Sequence, residues 1–334
     1  MIPSVNKKER INDMSNALSQ RRQEKKAERK LRNATLLRKA KNQKTLFAMA
    51  IPCIVLVAIF YYGPLYGWLM AFVKYSPSKG VFGSEFVGLH YFKQFFTDPD
   101  VGIILRNTIA MSVLNIIAHS ILPLLLALMI NEVANRHFKG IVQTLPYLPH
   151  FISFVVVSNI FLELLGTTGP INQALVSTGM VEAAIKFWQE PSLFWLLVTL
   201  IRAWKEVGWD SILYLSALAA IDATQYEAAG IDGCGRFRKI WYITLPNLLP
   251  TVVVLWITNM SGIFAASFDA SYMLGNSITS GVAEVIETYV YKMGISMGMY
   301  SYSTAISLLQ TVIGFILVWL TNKLSQKTTD YSLW

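Results

Sequence analysis

Residues 226–246 read Y-E-A-A-G-I-D-G-C-G-R-F-R-K-I-W-Y-I-T-L-P, a polar interruption between two long apolar runs. Thr224 followed three residues later by Glu227 is a capping-box pattern, and Gly233 suits a helix end. The spacing therefore predicts a short helix, starting at Thr224, of about two or three turns. A helix that short is marginal in water and needs a partner surface to be well defined. Its residues offer one: Ala228 and Ala229 admit a close backbone, Glu227 and Asp232 supply acidic contacts, and Arg236, Arg238 and Lys239 form a basic edge. Such a set suits docking better than chemistry.

Elsewhere the chain is strongly apolar, with 54% hydrophobic and 15% charged residues among 334. The apolar residues concentrate in six runs, 46–73, 108–130, 141–165, 193–220, 248–273 and 302–320. Each approaches or exceeds the roughly 20 residues that cross a bilayer. Backbone inside lipid must satisfy its own hydrogen bonds, so runs of this length are helices. The expectation is an all-α integral membrane protein with six transmembrane helices.

The N-terminal arm, 1–44, holds 14 Lys and Arg against Glu9, Asp13, Glu24 and Glu28, a balance of +10 beside +9 for the whole chain, so the rest is nearly neutral. The arm is too long and too basic for the start of a signal peptide and is expected to stay on the protein. Two readings stand for it: a segment held at an anionic inner leaflet, or a solvated tail with no specific partner. No interleaved aromatics, zinc spacing or RNA-binding signature accompanies the charge, so nucleic acid is not an expected partner. Together with the arm, Arg136, Lys139, Arg236, Arg238, Lys239, Lys323 and Lys327 fall on one side of the bilayer. Lys74, Lys79, Lys93, Lys186 and Lys292 fall on the other. The positive-inside rule then puts both termini and the Glu227 loop in the cytoplasm.

Glu227-Ala228-Ala229, three residues, Gly233, nine residues, Ile243, one residue and Leu245-Pro246 resemble the EAA loop of binding-protein-dependent ABC importer permeases at every fixed position. The resemblance implies a cytoplasmic coupling helix that docks in a groove of a separate ATPase subunit, with Glu227, Ala228, Ala229, Asp232 and Gly233 as its coupling residues. The bland alternative is an ordinary capped surface helix. Cys234 stands where the family usually has a small residue, which it can replace. The chain is similar to maltose-type carbohydrate permeases. The segment Gly88-Leu-His-Tyr-Phe-Lys-Gln-Phe-Phe-Thr-Asp-Pro-Asp100 resembles the stretch that precedes their core domain. Pro64-Leu65-Tyr66-Gly67 resembles the subgroup that handles oligosaccharides and polysaccharide fragments, although the aromatics of both stretches also suit interfacial anchoring. The implied organisation is a basic tail 1–44, a first helix and outer loop 45–102, a permease core 103–324 holding the coupling loop 222–246, and a C-terminal tail 325–334. The implied partners are a second permease, two ATPase subunits that bind ATP and Mg, an extracytoplasmic binding protein and an oligosaccharide.

The fourth apolar run carries charge. Arg202, Glu206 and Trp209 fall on one helical face at i, i+4 and i+7, with Lys205 and Asp210 beside them. Ionisable residues in a span normally face a bundle interior or a watery cavity and often mark a substrate path. An internal Arg202–Glu206 ion pair that only fixes packing is the alternative. Along the family pattern, Glu206 and Trp209 fall where maltose-type permeases line their sugar site. The same count on the next helix gives Asn259, Gly262, Ile263 and Ala266, which share a face. A sugar site needs an aromatic plate and planar hydrogen-bonding groups, and Trp209, Glu206 and Asn259 are of those types. Arg202 and Lys205 make an acidic, uronate-containing sugar conceivable. Pro146 and Pro149 should bend the third helix, and Pro52 and the aromatics near Tyr61 should kink and anchor the first.

Catalytic machinery is not apparent. No G-x-x-x-x-G-K-[ST] pattern occurs, so any ATP hydrolysis belongs to another subunit. His90, His119, His137 and His150 show no metal spacing and are each read as structural, and Cys53 and Cys234 imply neither a disulfide nor a metal site. Two rival classes remain: a secondary transporter, which predicts inverted repeats and broken ion-coordinating helices, and a membrane scaffold or signalling protein. The expected location is the bacterial cytoplasmic membrane.

Overall fold

The computed structural model describes residues 43–262, 264 and 268–329. The basic arm, save its last two residues, lies outside them, as do Ile263, Ala266 and the end of the C-terminal tail. The chain divides between Gly67 and Trp68, which groups the outer loop with the core rather than with the first helix. In the N-terminal unit, α1 (Lys44–Val57) contains Pro52 and stays α-helical through it. The helical form changes later, to a π-helical turn at Ala58–Tyr62 and a 3-10 stretch from Gly63. The whole of Lys44–Phe72 spans 29 residues at a mean hydropathy of 2.2, sufficient to cross a bilayer.

The second unit begins with the only strands among the described residues, β1 (Val73–Lys74) and β2 (Glu85–Phe86), paired antiparallel with Val73 opposite Phe86. Next come α2 (His90–Thr97) and α3 (Val101–Asn131). The third apolar run is broken as its prolines dictate. α4 (Arg136–Thr144), capped by the Asn135 side chain, passes into a 3-10 segment, Leu145–Phe151, holding Pro146 and Pro149. After Ile152 turns extended, the Ser153 hydroxyl caps α5 (Phe154–Leu164), and the two arms meet at 100°. A short α6 (Pro170–Ser177) then leads to α7 (Pro191–Ala219).

Among the described residues, four helices are long and apolar enough to cross a membrane, or five if the bent pair counts as one span. α7, which falls on the fourth expected run, is not among them, although its 29 residues reach about 44 Å at about 1.5 Å each. It carries Arg202, Lys205, Glu206 and Asp210 within that length.

After α7 comes the polar loop with α8 (Ala223–Ile231), then α9 (Arg236–Lys239), a π-helical turn at Ile240–Thr244, and α10 (Leu245–Ser261). The run expected over 248–273 is therefore displaced. The apolar helical stretch is Arg236–Met260, and Gly262 caps α10, so the end of the expected run from Phe268 onward belongs to a separate α11 (Phe268–Leu274). α12 (Ser280–Ala283) and α13 (Ile286–Tyr291) precede the last long helix, α14 (Tyr300–Thr329).

Burial links these elements into three clusters. Met111, Val157, Phe194, Val198, Ala270 and Leu274 join α3, α5, α7 and α11. Ala127, Tyr214, Leu218 and Leu248 join α3, α7 and α10. Phe95, Ile104, Ile286, Tyr289, Tyr302 and Ile306 join α2, α3, α13 and α14. Polar groups inside the last cluster are paired: Asp98 Oδ2 accepts from the phenols of Tyr289 at 2.6 Å and Tyr302 at 3.2 Å. Burial acts to raise the Asp98 pKa, but the Tyr289 phenol, the Asp100 N–H and the Tyr302 phenol outweigh it and hold the carboxyl below its ordinary value of 3.8. A depressed carboxyl stabilises the fold above its unfolded pKa and loses that contribution as pH falls through the folded value. Asp98→Asn should therefore lower the thermal midpoint of the detergent-solubilised protein at pH 7. The gap to wild type should close as the pH is taken below about 4.

Candidate functional site

α7 and the broken third span enclose a cavity of about 380 Å³. Its walls include Arg202, Lys205 and Glu206 of α7, His150 and Phe151 of the 3-10 segment, and Asp269 of α11. Gly208 explains why the segment comes so close. A Cβ there would overlap the Pro146 carbonyl, so only glycine lets the segment lie against the α7 backbone. His150 is thereby delivered to Glu206, with Nδ1 2.5 Å from Oε2. Lys205, only 8% exposed, donates to Glu206 Oε1 at 2.7 Å and to the His150 carbonyl at 2.8 Å. The second bond satisfies a carbonyl at the 3-10 end, and the first neutralises the carboxylate. Removing one partner of such a largely buried knot leaves a charge uncompensated, which for a buried pair costs about 3–5 kcal/mol.

The Arg202–Glu206 ion pair weighed from the sequence is not made. Glu206 is occupied by Lys205 and His150, and Arg202 Nε is buried without a hydrogen-bond partner among the described residues. Nearby on α13, burial pushes the Glu287 carboxyl up to about 7, against the pull of the Phe268 N–H and the Arg202 charge. At neutral pH it is thus only a partial counter-charge for Arg202.

Trp209 is half-covered rather than free. The His150 ring stacks on it at 4.3 Å and 3°, and Phe151 meets it edge-on at 5.8 Å. The aromatic plate read from the sequence therefore has one face occupied by the chain's own histidine. One turn further along, Asp210 Oδ2 lies 2.7 Å from His119 Nδ1 and ties α7 to α3.

Arg202, Lys205, Glu206 and Trp209 are thus brought together. Asn259 is exposed on α10 and Gly262 caps that helix, and neither lines the cavity. The shared face expected to run from Asn259 through Ile263 to Ala266 stops with the helix at Ser261, and the last two residues lie outside the described ones. Sequence reasoning missed His150, taken as structural, and Asp269. The Pro146-x-x-Pro149-His150 spacing was the available signal for the first, because two prolines in one turn force carbonyls and the next side chain away from a regular helix.

At the other end of α7, α8 begins at Ala223, not Thr224. Its cap is Asp222, whose Oδ1 accepts from the Thr224 N–H at 3.0 Å, and that bond holds the Asp222 carboxyl below its ordinary range. The expected Thr224–Glu227 capping box is not formed, and Glu227 is exposed. The C-terminus closes as a Schellman motif: Gly233, at φ 72°, donates to Gly230, and the Cys234 N–H donates to the Ala229 carbonyl at 2.8 Å. No residue of α8 is buried; Ala228 and Asp232 are exposed and Ala229 partly so, while Ile231 and Phe237 are each 89% exposed. The helix is nonetheless anchored. The Tyr226 hydroxyl lies 2.9 Å from Thr244 Oγ1, Gln225 Oε1 accepts from Asn247 at 3.0 Å, and Lys239 donates to the Tyr226 carbonyl at 3.0 Å. Lys239 therefore turns inward, and the basic edge is left to Arg236 and Arg238.

Residues 119–330 match the family described as binding-protein-dependent transport system inner membrane component. Among curated relatives, the chain is 42% identical over 288 residues to Protein LplB of Bacillus subtilis, covering 86% of this chain and 90% of the relative. It is 40% identical over 300 residues to the polygalacturonan/rhamnogalacturonan transport system permease protein YteP of the same species, covering 90% and 93%. Among solved structures, a chain of a bacterial ABC transporter involved in the import of the acidic polysaccharide alginate superposes with a TM-score of 0.80 at 34% identity, over 88% of this chain and 99% of that one. A second structure, of the alginate transporter in complex with an alginate pentasaccharide-bound periplasmic protein, gives 0.81 at 33% identity.

Gly208→Ala should displace the 3-10 segment and cost about 1–3 kcal/mol, the usual range for overpacking. The thermal midpoint of the purified protein checks this. The same substitution at Gly140, inside α4 and with nothing within 4 Å of a new Cβ, should not lower it and should raise it slightly through helix propensity.

Proposed function

We infer that this chain, which belongs to the family of binding-protein-dependent transport system inner membrane components, forms the transmembrane path of an ATP-driven importer for an acidic oligosaccharide. The observation that carries the acidic reading is Arg202. Arg202 lines the cavity, its Nε has no hydrogen-bond partner among the described residues, and the neighbouring carboxylate Glu206 is already engaged by Lys205 and His150. A planar guanidinium left in this way matches a uronate carboxylate. The relatives named for polygalacturonan and alginate, both acidic, support the same class.

The chain works beside a second permease, two ATPase subunits and an extracytoplasmic binding protein. ATP and Mg belong to the ATPases, and this chain needs no cofactor of its own. Both termini and α8 face the cytoplasm of the bacterial cell, in accord with the distribution of Lys and Arg. The exposed face of α8, with Glu227, Ala228, Ala229, Asp232 and Gly233, docks on an ATPase. Closure of the ATPases displaces α8. The bonds to Thr244 and Asn247 pass that displacement to α10, and the short link from Ala219 to Ala223 passes it to α7. Movement of α7 against the 3-10 segment separates His150 from Trp209 and frees the indole face for a pyranose ring. The cavity then alternates between the two sides of the membrane. A secondary transporter would move solute without ATPase partners, which the family does not favour.

Two experiments test this. ATPase activity of the complex in lipid should be stimulated by the binding protein loaded with an acidic oligosaccharide, and Glu227→Lys should abolish the stimulation or dissociate the ATPases. If no ATPase co-purifies and Glu227→Lys changes nothing, the docking role of α8 is wrong. In the same preparation, Arg202→Gln should reduce uptake of tetragalacturonate by about tenfold or more while sparing a neutral tetrasaccharide, the cost of losing one charge-assisted contact. Equal losses on both sugars would remove the acidic reading.

A further inference from the structure

A second cavity lies at the opposite end of α7 from α8. It is a crevice of about 340 Å³, walled by α11, α12, α13 and the π-helical turn at Lys292–Ser296. Two bonds fix it to the start of α7: Asn276 Nδ2 donates to the Trp188 carbonyl at 2.6 Å, and Trp195 Nε1 donates to the Val282 carbonyl at 2.8 Å. Nothing in the transport scheme above uses it.

Its chemistry is that of a carbohydrate site. Tyr272 and Tyr291 line it, their rings 5.3 Å apart at 74°, and Phe268 backs Tyr272 in a parallel stack at 5.5 Å and 12°. The three rings hold one another in place, yet Tyr272 keeps 49% of its surface exposed and Tyr291 36%. A rigid, backed and half-exposed aromatic presents an apolar plate at little entropic cost, and pyranose C–H faces pack on such plates. The polar complement is also present. Glu284 and Lys292 stand on the crevice wall, paired at 3.3 Å but 26% and 51% exposed. An ion pair so open to solvent contributes little, so sugar hydroxyls can take over its donors and acceptor cheaply. Ser277 and Ser280 add hydroxyls on the rim. The volume lies near the lower end of small-molecule sites and suits about one or two sugar rings.

We propose that this crevice is a second carbohydrate-binding site, in which a pyranose unit of the incoming oligosaccharide stacks on Tyr272 and bonds to Glu284 and Lys292. α11 connects it to the inner cavity: Asp269 lines the cavity and Tyr272, one turn on, lines the crevice. An oligosaccharide therefore meets the crevice before it reaches Arg202, and the site acts on the saccharide chain rather than on its charge. The proposal rests on the importer reading.

The test uses the complete transporter with its binding protein in lipid nanodiscs during ATP turnover. The probes are tetragalacturonate and maltotetraose, each bearing a diazirine at the reducing end, with adducts mapped by mass spectrometry after illumination. Adducts are expected within residues 271–296 as well as within 202–209. In Tyr272→Ala the former should fall about tenfold, as expected for the loss of one aromatic contact, with the latter unchanged and the thermal midpoint lowered only by the lost ring packing. Adducts confined to 202–209 would overturn the proposal and leave the importer reading intact. Unchanged crevice adducts in Tyr272→Ala, with weaker co-purification of the binding protein, would mark the crevice as a protein contact and overturn it equally. Absence of adducts from both regions, with either probe, would overturn the oligosaccharide reading and the proposal with it.

Discussion

The close approach of the Pro146 carbonyl to Gly208 is the constraint on which the interior depends. A span broken by two prolines leaves carbonyls that no helical N–H can satisfy, and in a membrane such groups must find partners within the protein. The break is tolerated because it is pressed against α7 at a residue without a side chain, where Lys205 can reach the His150 carbonyl. Once that contact is made, the other features follow. His150 meets Glu206, its ring covers Trp209, and Arg202 is left lining the cavity with its Nε unpaired among the described residues.

α7 joins the parts of the molecule that function must link. Its first turns carry Trp195, tied to the crevice wall; its middle carries the cavity residues and Asp210, tied to His119; and its end leads within a few residues into α8. α7 packs along α3 through both of the clusters they share. α8 itself buries nothing, but Tyr226, Gln225 and the inward-turned Lys239 bind it to the base of α10. A helix exposed on its outer face and fastened on its inner one is suited to receiving a force and passing it on, which a freely solvated cap would not do.

Particular residues mark where sequence reasoning reached and where it stopped. The EAA pattern located α8 and the Gly233 turn, because both depend on local chemistry: small residues for close approach, and a residue at positive φ to close the helix. The bend at Pro146 and Pro149 was legible for the same reason. The cap was not, since Thr224 and Asp222 are both acceptable cap residues and only the backbone decides which side chain meets the first free N–H. Lys239 was misassigned to the docking edge because a long side chain can turn either way from one backbone position. The run 248–273 was misplaced because hydropathy does not distinguish a helix from apolar residues beyond its glycine cap.

The sequence by itself determined that this chain is a helical membrane protein carrying the loop motif of a known family, because apolar length, charge distribution and a fixed-spacing motif are properties of the chain in order. Only the tertiary structure decided which charges face each other. The His150 partner of Glu206 comes from a segment more than fifty residues away, two of the four counter-charges of Arg202, Asp269 and Glu287, come from short helices near the chain's last span, and the aromatic pair of the crevice comes from α11 and α13. Such meetings depend on how broken helices close on one another, and no local periodicity records them.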